Sequence, residues 1–472
     1  MSRKPKAWRR PAVWLAAGIV LIGGAYALVQ RSHRPGGLPS LDYTAESARP
    51  GDLIAIDSVD RLSPEEAAAT ARANYGAATP AITTGVQKVI FHYRSRTVSG
   101  SWITVYGRAY LPDDPANNLP VYGFAPGTTG IGDQCAASLE VPTKANWANY
   151  DSHLVAYASQ GLAVVTTDYE GMRDPSRIHH YMVGELEGRA LLDAVRALTK
   201  LPQVKGRLKI ANLFVGGYSQ GGHAALWADK IAPEYAPELH IKGVVGYGPV
   251  MSVKATLADV AHGANINWFG PYVLYSYNDY YRTTYPLTQM LLPVTAERLG
   301  KDVPAHCIDT DIPHWGRNPF GVYTPDFMAT FLNNAWEGTA YAEFGHQLDL
   351  NAVGSDPTAS AKRINTGGLD NVVYPSQQVA GAQQLCSSSS GPVQQVTYPH
   401  ATHYDTMLQS FADTLAWMRD VMAGHVSASN CPGLVAPPLP TPVPAPTPVP
   451  APTPVPTPMA TPAPTPAAGA GL

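Results

Sequence analysis

The sequence predicts an α/β fold in which helices cover both faces of a mainly parallel sheet. Three observations favour it: short apolar runs suited to buried strands, amphipathic stretches between those runs, and a chain of 472 residues that is 45% hydrophobic. Alternation of strand and helix along the chain is typical of a doubly wound parallel sheet, whose buried strands are nearly continuous apolar runs. The length suffices for one large domain with appendages.

The first predicted elements precede the parallel part of the sheet. We expect residues 35–60 to be a loosely structured lead-in. The segment Ser63–Glu66 then has the residues of a helix start: a serine cap, a proline in the first turn and a glutamate three positions after the serine. Residues 87–95 and 101–111 alternate apolar and polar side chains, which indicates an antiparallel hairpin.

The parallel part of the sheet follows. Leu119–Phe124 and Gly161–Thr167 are short apolar runs of the kind buried in such a sheet. Gly188–Leu201 has the pattern of an amphipathic helix. Two further strands, Ile210–Gly216 and Ile241–Val250, continue the alternation of strand, helix and strand.

Residues 251–360 interrupt this rhythm with a tyrosine-rich stretch, which we interpret as an inserted cap. Its aromatic side chains either bind an apolar substrate or form the core of the cap. The α/β pattern resumes near residue 361, with a strand at Val393–Thr397 and a closing helix from Tyr404 to about Val421. The predicted α/β core therefore comprises residues 35–250 and 361–432.

The two ends of the chain differ from this core. Five cationic residues within the first ten precede the apolar run Ala12–Val29, and Ala25-Tyr26-Ala27 offers a small-x-small cleavage site. Residues 1–34 are therefore either a cleaved signal peptide or an N-terminal membrane anchor. Both alternatives place the rest of the chain outside the cytoplasm, so that it is secreted, periplasmic or at the cell surface.

Residues 433–472 form a Pro-rich tail that we expect to be disordered. A six-residue repeat that starts at Thr441 favours polyproline II and a semi-rigid spacer. The N-terminal segment and the tail are both candidates for association with a membrane or cell envelope, and the alternative for the tail is a solvated segment without a partner. The net charge of −3 gives no reason to expect a nucleic-acid partner.

Four cysteines in an exported chain indicate two disulfides. Three pairings are possible. We favour Cys386–Cys431, which links nearby segments, together with Cys135–Cys307, which ties the core to the insertion. The sequence has no CxxC motif or Cys/His cluster, so we expect no metal at these residues.

Gly217-Tyr218-Ser219-Gln220-Gly221 forms a G-x-S-x-G pattern between a predicted strand and a predicted helix. This setting is the one that a nucleophile elbow requires, because the sharp turn strains the serine and leaves no room for bulky neighbours. We predict Ser219 as a nucleophile at the start of a helix whose dipole favours a developing anion.

A serine nucleophile needs a base and a carboxylate that orients the base. His403 follows the last predicted strand and is our base, and Asp370, after the preceding strand, is its orienter. His400 is the alternative base. Asp405 is the alternative acid, although it shares the segment of His403.

An oxyanion hole needs two N–H donors aimed at the carbonyl oxygen of the substrate. The backbone N–H of Gln220 directly follows the nucleophile and supplies the first donor. The glycine-containing loop after Leu119–Phe124 is the candidate for the second, with Thr129 as our choice and Thr128 as the alternative.

Together these residues resemble the secretory lipases, a family of α/β-hydrolases from fungi and bacteria. The likeness extends over about residues 50–425 and lies in four stretches: Gly127–Gly130 with Asp133–Ala136, Asp168–Gly171, Gly184–Arg189 and Gly217–Trp227. The resemblance implies the α/β-hydrolase fold and esterase or lipase activity. It also implies a cap between the sixth and seventh strands and a disulfide from the Cys135 loop into that cap.

We therefore expect a serine carboxylic-ester hydrolase that acts on a small-molecule or lipid ester through an acyl-enzyme. Its catalytic groups would be Ser219, His403 and Asp370, and it would require no metal or organic cofactor. One alternative is a peptidase or acyltransferase with the same triad. The other is a non-catalytic surface-binding protein.

Overall fold

The computed structural model of the protein describes residues 48–114, 116–141 and 147–444. The predicted signal peptide or anchor, residues 1–34, lies outside the described residues, as does the predicted tail from residue 445 onward. Within the described ranges no helix is both long and apolar enough to cross a bilayer. The described start of the tail contacts the predicted cap, because Val443 N donates to Ala261 O at 2.9 Å.

One sheet of nine strands organises the described chain, in the order β1-β2-β3-β5-β4-β6-β7-β8-β9. The pairings β1–β2, β2–β3 and β3–β5 are antiparallel and the other five are parallel. The strands are β1 Leu53–Leu62, β2 Val86–Arg96, β3 Trp102–Pro112, β4 Leu119–Ala125, β5 Ala163–Thr167, β6 Leu208–Tyr218, β7 Ile241–Tyr247, β8 Ala361–Gly367 and β9 Val393–Tyr398.

Helices cover both faces of this sheet. Those of the core are α1 Pro64–Tyr75, α2 Tyr150–Ser159, α3 Gly184–Leu198, α4 Gln220–Tyr235, α12 Pro375–Ser388, α13 Asp405–Gln409 and α14 Phe411–Ala423. Apolar residues of α3, α4 and α12 pack on one face, and those of α1, α2, α13 and α14 pack on the other. The predicted doubly wound, mainly parallel sheet is therefore confirmed.

The N-terminal region differs from the prediction in one respect. Residues 53–62 are not a loose lead-in but form the edge strand β1, paired antiparallel with β2. Most of its side chains are partly or fully exposed, so the segment lacks the apolar run by which a buried strand is recognised. Because β1 was not counted, the predicted cap lies between β7 and β8 in chain order rather than between the sixth and seventh strands.

Other local predictions are confirmed. The Ser63 side chain accepts from Glu66 N, and the Glu66 carboxylate accepts from Ser63 N, which completes a capping box at α1. The predicted hairpin is the β2–β3 pair, which extends from Val86 opposite Pro112 to Arg96 opposite Trp102.

Strand β8 is buried along its length although most of its residues are polar. Lys362 is fully buried, and its Nζ lies 3.1 Å from Asp229 Oδ2 and 3.4 Å from Asp356 Oδ2. A buried charge requires such partners. Near the other end of β8, Asn365 Nδ2 donates to Thr414 Oγ1 at 2.9 Å. Partners from distant elements thus allow this polar strand to lie inside the sheet.

Residues 251–360, which we call the helical insertion, connect β7 to β8. Its helices are α5 Val253–Ala261, α6 Phe269–Tyr280, α7 Leu287–Met290, α8 Pro293–Ala305, α9 Ile308–Trp315, α10 Pro325–Asn333 and α11 Ala342–Leu350. They supply most of an apolar cluster that also includes Tyr181 and Met182 from outside the insertion, and in it Tyr272 and Tyr277 are fully buried. Many of the predicted cap aromatics therefore stabilise the insertion.

The closing helix is interrupted at Ser410, where α13 ends and α14 begins. Ser410 Oγ donates to Thr406 O at 2.6 Å. A serine hydroxyl that bonds back to the preceding turn bends a helix, which accounts for two helices where the sequence predicts one.

Candidate active site

Ser219 lies in the sharp turn between β6 and α4. Its backbone has φ 56° and ψ −116°, which is a strained conformation for a residue with a Cβ. Ser219 N donates to Tyr247 O at 2.9 Å, and Ser219 O accepts from His223 N at 3.2 Å. The backbone of this turn is therefore held from both sides.

Glycine is required on the inner side of the turn. A Cβ on Gly221 would lie 1.8 Å from Ala125 O, which is a severe clash. The close approach of α4 to the end of β4 brings the start of the helix beside the loop that follows β4. The second glycine of the G-x-S-x-G pattern thus positions the turn against this loop.

His403 and Asp370, which sequence analysis selects as base and acid, are in contact. His403 Nδ1 lies 2.7 Å from Asp370 Oδ2, and both side chains are buried. The other carboxylate oxygen, Asp370 Oδ1, accepts from Val372 N and Val373 N, each at 2.9 Å. Gln378 Nε2 donates to Asp370 Oδ2 at 3.0 Å. The carboxylate is therefore fixed, and it leaves Nε2 of the His403 ring for another partner.

Gly248 provides the space for this pair. It has φ +53°, and a Cβ at this position would lie 3.0 Å from His403 Nδ1 and 3.2 Å from Asp370 Oδ2. Any side chain here would be strained and would also displace the imidazole or the carboxylate. No local pattern indicates this glycine's role, because the contact joins residues far apart in the chain.

The alternative acid and base lie elsewhere. His400 is exposed and does not line the cavity that contains Ser219. Asp405 Oδ2 accepts from Thr402 Oγ1 at 2.6 Å and from Thr402 N at 3.2 Å. Asp405 therefore fixes the turn before α13.

Ser219 and His403 both line one cavity of about 90 Å³. The Ser219 hydroxyl makes no hydrogen bond within the part of the chain that the structure describes. Catalytic hydrogen bonds are often incomplete without substrate. The cavity walls come from the core and from the insertion, and the other lining residues are Thr128, Trp147, Tyr150, Tyr218, Asn265, Ile266, Trp268, Ile308, Asn371, Val372 and Tyr404.

The loop after β4 reaches this cavity through Thr128, whereas Thr129 is buried beside it. Thr128 Oγ1 lies 2.8 Å from Tyr181 OH. The carbonyl oxygen of Thr129 accepts from Ile308 N of the insertion at 2.8 Å. The insertion therefore restrains the loop that sequence analysis selects for the second oxyanion donor.

A disulfide restrains the same loop. Cys135, ten residues after β4, is bonded to Cys307 at the start of α9. The second disulfide joins Cys386 of α12 to Cys431. Both are the pairings that the sequence favours, and only the first ties the core to the insertion.

Gln220, the first residue of α4, is buried under the turn. Its side chain contacts Glu187 of α3 and His179. No local sequence pattern indicates these partners, although Glu187 lies in the stretch Gly184–Arg189 that carries the family resemblance. Across the described ranges no three His, Cys, Asp or Glu side chains are grouped so that they could hold a metal ion.

The sequence of this chain is similar to those of known proteins. The sequence model of the family described as secretory lipase matches residues 140–430. The chain is 29% identical over 171 residues to Lipase A of Moesziomyces aphidis, and the alignment covers 35% of each protein. The match thus spans about a third of the length of that relative.

Solved structures extend the likeness to the whole fold. The rice cell wall degrading esterase LipA from Xanthomonas oryzae superposes with a TM-score of 0.61 at 18% identity, covering 80% of this chain and 97% of the esterase. Candida antarctica lipase A in its closed state superposes with a TM-score of 0.58 at 20% identity, covering 84% and 86%. The chain therefore has the α/β-hydrolase fold.

Proposed function

The chain belongs to the secretory lipase family, and we propose that it hydrolyses carboxylic esters through an acyl-enzyme formed on Ser219. One observation carries the proposal: His403 Nδ1 lies 2.7 Å from Asp370 Oδ2, and His403 shares a cavity with Ser219. A serine hydroxyl becomes an effective nucleophile when an oriented imidazole can remove its proton.

In the acylation step, Nε2 of His403 removes the proton from Ser219 Oγ as the oxygen attacks the ester carbonyl. Asp370 holds the proton of the ring on Nδ1 and stabilises the imidazolium that forms. The tetrahedral intermediate collapses when the C–O bond to the alcohol breaks, and the imidazolium returns its proton to the leaving oxygen. The acyl group remains on Ser219.

The oxyanion of the intermediate accepts from two backbone N–H groups. Gln220 N–H is suited to the first position, because the first N–H groups of a helix lack partners within the helix and point along its positive end. Thr129 N–H is our choice for the second position, and Thr128, whose side chain lines the cavity, is the alternative. Loss of one such donor typically costs about 2.7–4 kcal/mol.

Water then completes the cycle. His403 removes a proton from a water molecule, which attacks the acyl carbonyl through the same kind of intermediate. The bond between the acyl carbon and Ser219 Oγ breaks, Oγ regains a proton, and the carboxylic acid leaves. The described residues supply each proton transfer in this scheme.

We propose that the helical insertion acts as a cap over this site, since Asn265, Ile266, Trp268 and Ile308 form one wall of the cavity. Membership of a secretory family, together with two disulfides, indicates an exported protein. Cleavage of residues 1–34, or their use as an anchor, stays a prediction.

The proposal is tested by labelling the full chain with a fluorophosphonate and by assaying 4-nitrophenyl acetate. Wild type should be labelled on the peptide that contains Ser219. Ser219→Ala should lose the label and at least about 10⁴-fold in kcat. Ser99→Ala, at an exposed serine of the β2–β3 turn, should keep both. A Ser219→Ala protein that folds and still cleaves the ester would refute the proposed function.

A further inference from the structure

We propose that Glu187 is a positioning residue that fixes the backbone N–H of Gln220 as an oxyanion donor. This inference rests on the proposed ester hydrolysis at Ser219. Glu187 lies in α3 and does not line the cavity, so its carboxylate would act through Gln220 rather than on the substrate.

The Gln220 side chain is held at both of its N–H bonds. Nε2 donates to Glu187 Oε1 at 2.7 Å and lies 2.9 Å from His179 Nε2. His179 Nδ1 lies 3.0 Å from Glu170 O and donates to it, which leaves Nε2 as an acceptor. Burial lowers the pKa of His179, so the neutral ring that this arrangement requires is the favoured form. Gln220 therefore has one side-chain orientation.

The Glu187 carboxylate is itself fixed from two other directions. Met182 N donates to Oε1 at 3.0 Å, and His223 Nδ1 lies 2.8 Å from Oε2. The side chains of Glu187 and His223 are 1% and 0% exposed. An acceptor so completely enclosed holds its donors in one geometry, because no water can replace them.

Glu187 thereby restrains the whole first turn of α4. Gln220 and His223 are three residues apart and lie on one face of the helix, and one carboxylate contacts both side chains. The far side of the His223 ring is also fixed, since Nε2 lies 2.6 Å from Asn351 O. The Glu187 carboxylate and the Asn351 carbonyl oxygen therefore hold this ring from opposite sides.

The catalytic consequence follows from the place of Gln220 in the chain. Its N–H directly follows the nucleophile, and a displacement of about 1 Å in such a group can reduce the rate by about 10²-fold. The side-chain amide of Gln220 has no role at the reacting atoms, because both of its hydrogens are directed at Glu187 and His179. Its contribution is to hold the backbone of α4 still.

The test compares Glu187→Ala with Glu187→Gln in the full chain. Alanine removes every contact of the carboxylate. Glutamine is the nearly isosteric replacement that can keep them, since its oxygen accepts from Gln220 and Met182 and its amide faces His223 Nδ1. We expect Glu187→Ala to lower kcat/KM for 4-nitrophenyl acetate by at least about tenfold and glutamine to restore it to within about threefold. Asp193→Asn, a buried carboxylate of the same helix, is the matched control.

A second substrate separates positioning from general destabilisation. In the thionoester analogue, sulfur replaces the carbonyl oxygen and is the weaker hydrogen-bond acceptor. Wild type should therefore prefer the oxygen ester, and Glu187→Ala should reduce this preference by about tenfold. Asp193→Asn should leave the preference unchanged even if it lowers stability.

The outcomes decide the proposal. Full activity in Glu187→Ala, or lost activity with an unchanged preference for the oxygen ester, would overturn it. If Glu187→Ala does not fold, Gln220→Leu is the deciding variant. It removes the restrained amide and keeps the backbone N–H. Wild-type rates in Gln220→Leu would also overturn the proposal. A wild-type protein that neither binds fluorophosphonate nor cleaves esters would instead reject the proposed function itself.

Discussion

The two sides of the candidate site are held in different ways. On the base side, Asp370 takes its fixed geometry from Val372 N, Val373 N and Gln378, all within eight residues of it. On the oxyanion side, Gln220 depends on Glu187 and His179, and the loop at Thr129 depends on the insertion. Short-range contacts support one side, and long-range contacts support the other.

This difference separates two kinds of vulnerability. On the base side the Asp370 carboxylate is fixed within its own loop, so a change of that carboxylate acts through the chemistry of the altered group. The oxyanion side is shared among α3, α4 and the helical insertion, so changes far from the substrate can reach it.

Asp370→Asn gives the largest expected effect. An amide in place of the carboxylate favours the wrong tautomer of His403 and cannot stabilise its imidazolium, so we expect kcat to fall by roughly 10³- to 10⁴-fold. Steady-state hydrolysis of 4-nitrophenyl acetate measures the loss.

Asp405→Asn is the matched control, since Asp405 is close in the chain to His403 but bonds to Thr402. Its kcat should stay within about twofold of wild type, as expected for a change that leaves the triad intact. If Asp370→Asn kept more than a tenth of the activity, Asp370 would not be the orienting acid.

Removing the disulfide that ties the core to the insertion should affect the oxyanion side. In Cys135→Ser/Cys307→Ser the loop at Thr129 loses one of its restraints, and we expect kcat/KM to fall by about tenfold, less than the loss of a whole oxyanion donor. Cys386→Ser/Cys431→Ser removes a disulfide that does not contact the site, and its kcat/KM should be unchanged.

Both double variants should lose about 2–5 kcal/mol of unfolding free energy, so rates must be compared below the transition temperature of each protein. Equal kcat/KM in the two variants would show that the tether between core and insertion has no influence on the site.

The smallest effect is on the free energy of unfolding and concerns His180. This residue directly follows His179 in the chain and links it to the insertion. Its Nδ1 lies 3.0 Å from Glu170 Oε2 and its Nε2 lies 2.9 Å from Asp279 Oδ2 of α6. Burial alone would lower the pKa of His180, but the hydrogen bonds and charges of Glu170 and Asp279 outweigh it and leave the pKa raised.

A raised pKa in the folded state means that this protonated link stabilises the fold below the unfolded value of about 6.5. The stabilisation is lost as the pH rises through the folded pKa. We expect the stability difference between wild type and His180→Gln to be about 1 kcal/mol at acidic pH, because Asp279 is partly exposed, and to shrink at alkaline pH. Chemical denaturation across pH measures it, and a difference independent of pH would contradict the assignment.

The same contrast explains what the sequence could predict. The hairpin β2–β3, the cap at Ser63 and the order of Ser219, Asp370 and His403 all depend on local patterns that can be seen in the chain itself. The resemblance to secretory lipases, which the family match confirms, further implied that the α/β fold is that of the α/β-hydrolases. The residues of the base side can therefore be predicted from the sequence, and their catalytic role stays a prediction.

The rest depends on contacts that no local pattern carries. Strand β1 is an edge strand without an apolar run, and β8 is polar because Asp229, Asp356 and Thr414 meet it from other elements. Nothing in the local sequence around Glu187 indicates that its carboxylate lies under the nucleophile turn. Such pairings become visible only when α3 and α4 are packed on one face of the sheet.

The backbone of Ser219 has a consequence for how this protein could be altered. A residue with a side chain at φ 56° and ψ −116° is locally unfavourable by about 1–3 kcal/mol, and glycine would relieve that burden. Directed evolution for thermal stability alone would therefore favour glycine at position 219, and this substitution removes the hydroxyl. Thermal stability and catalytic activity compete at this single position, so that a more stable variant with glycine here would be inactive.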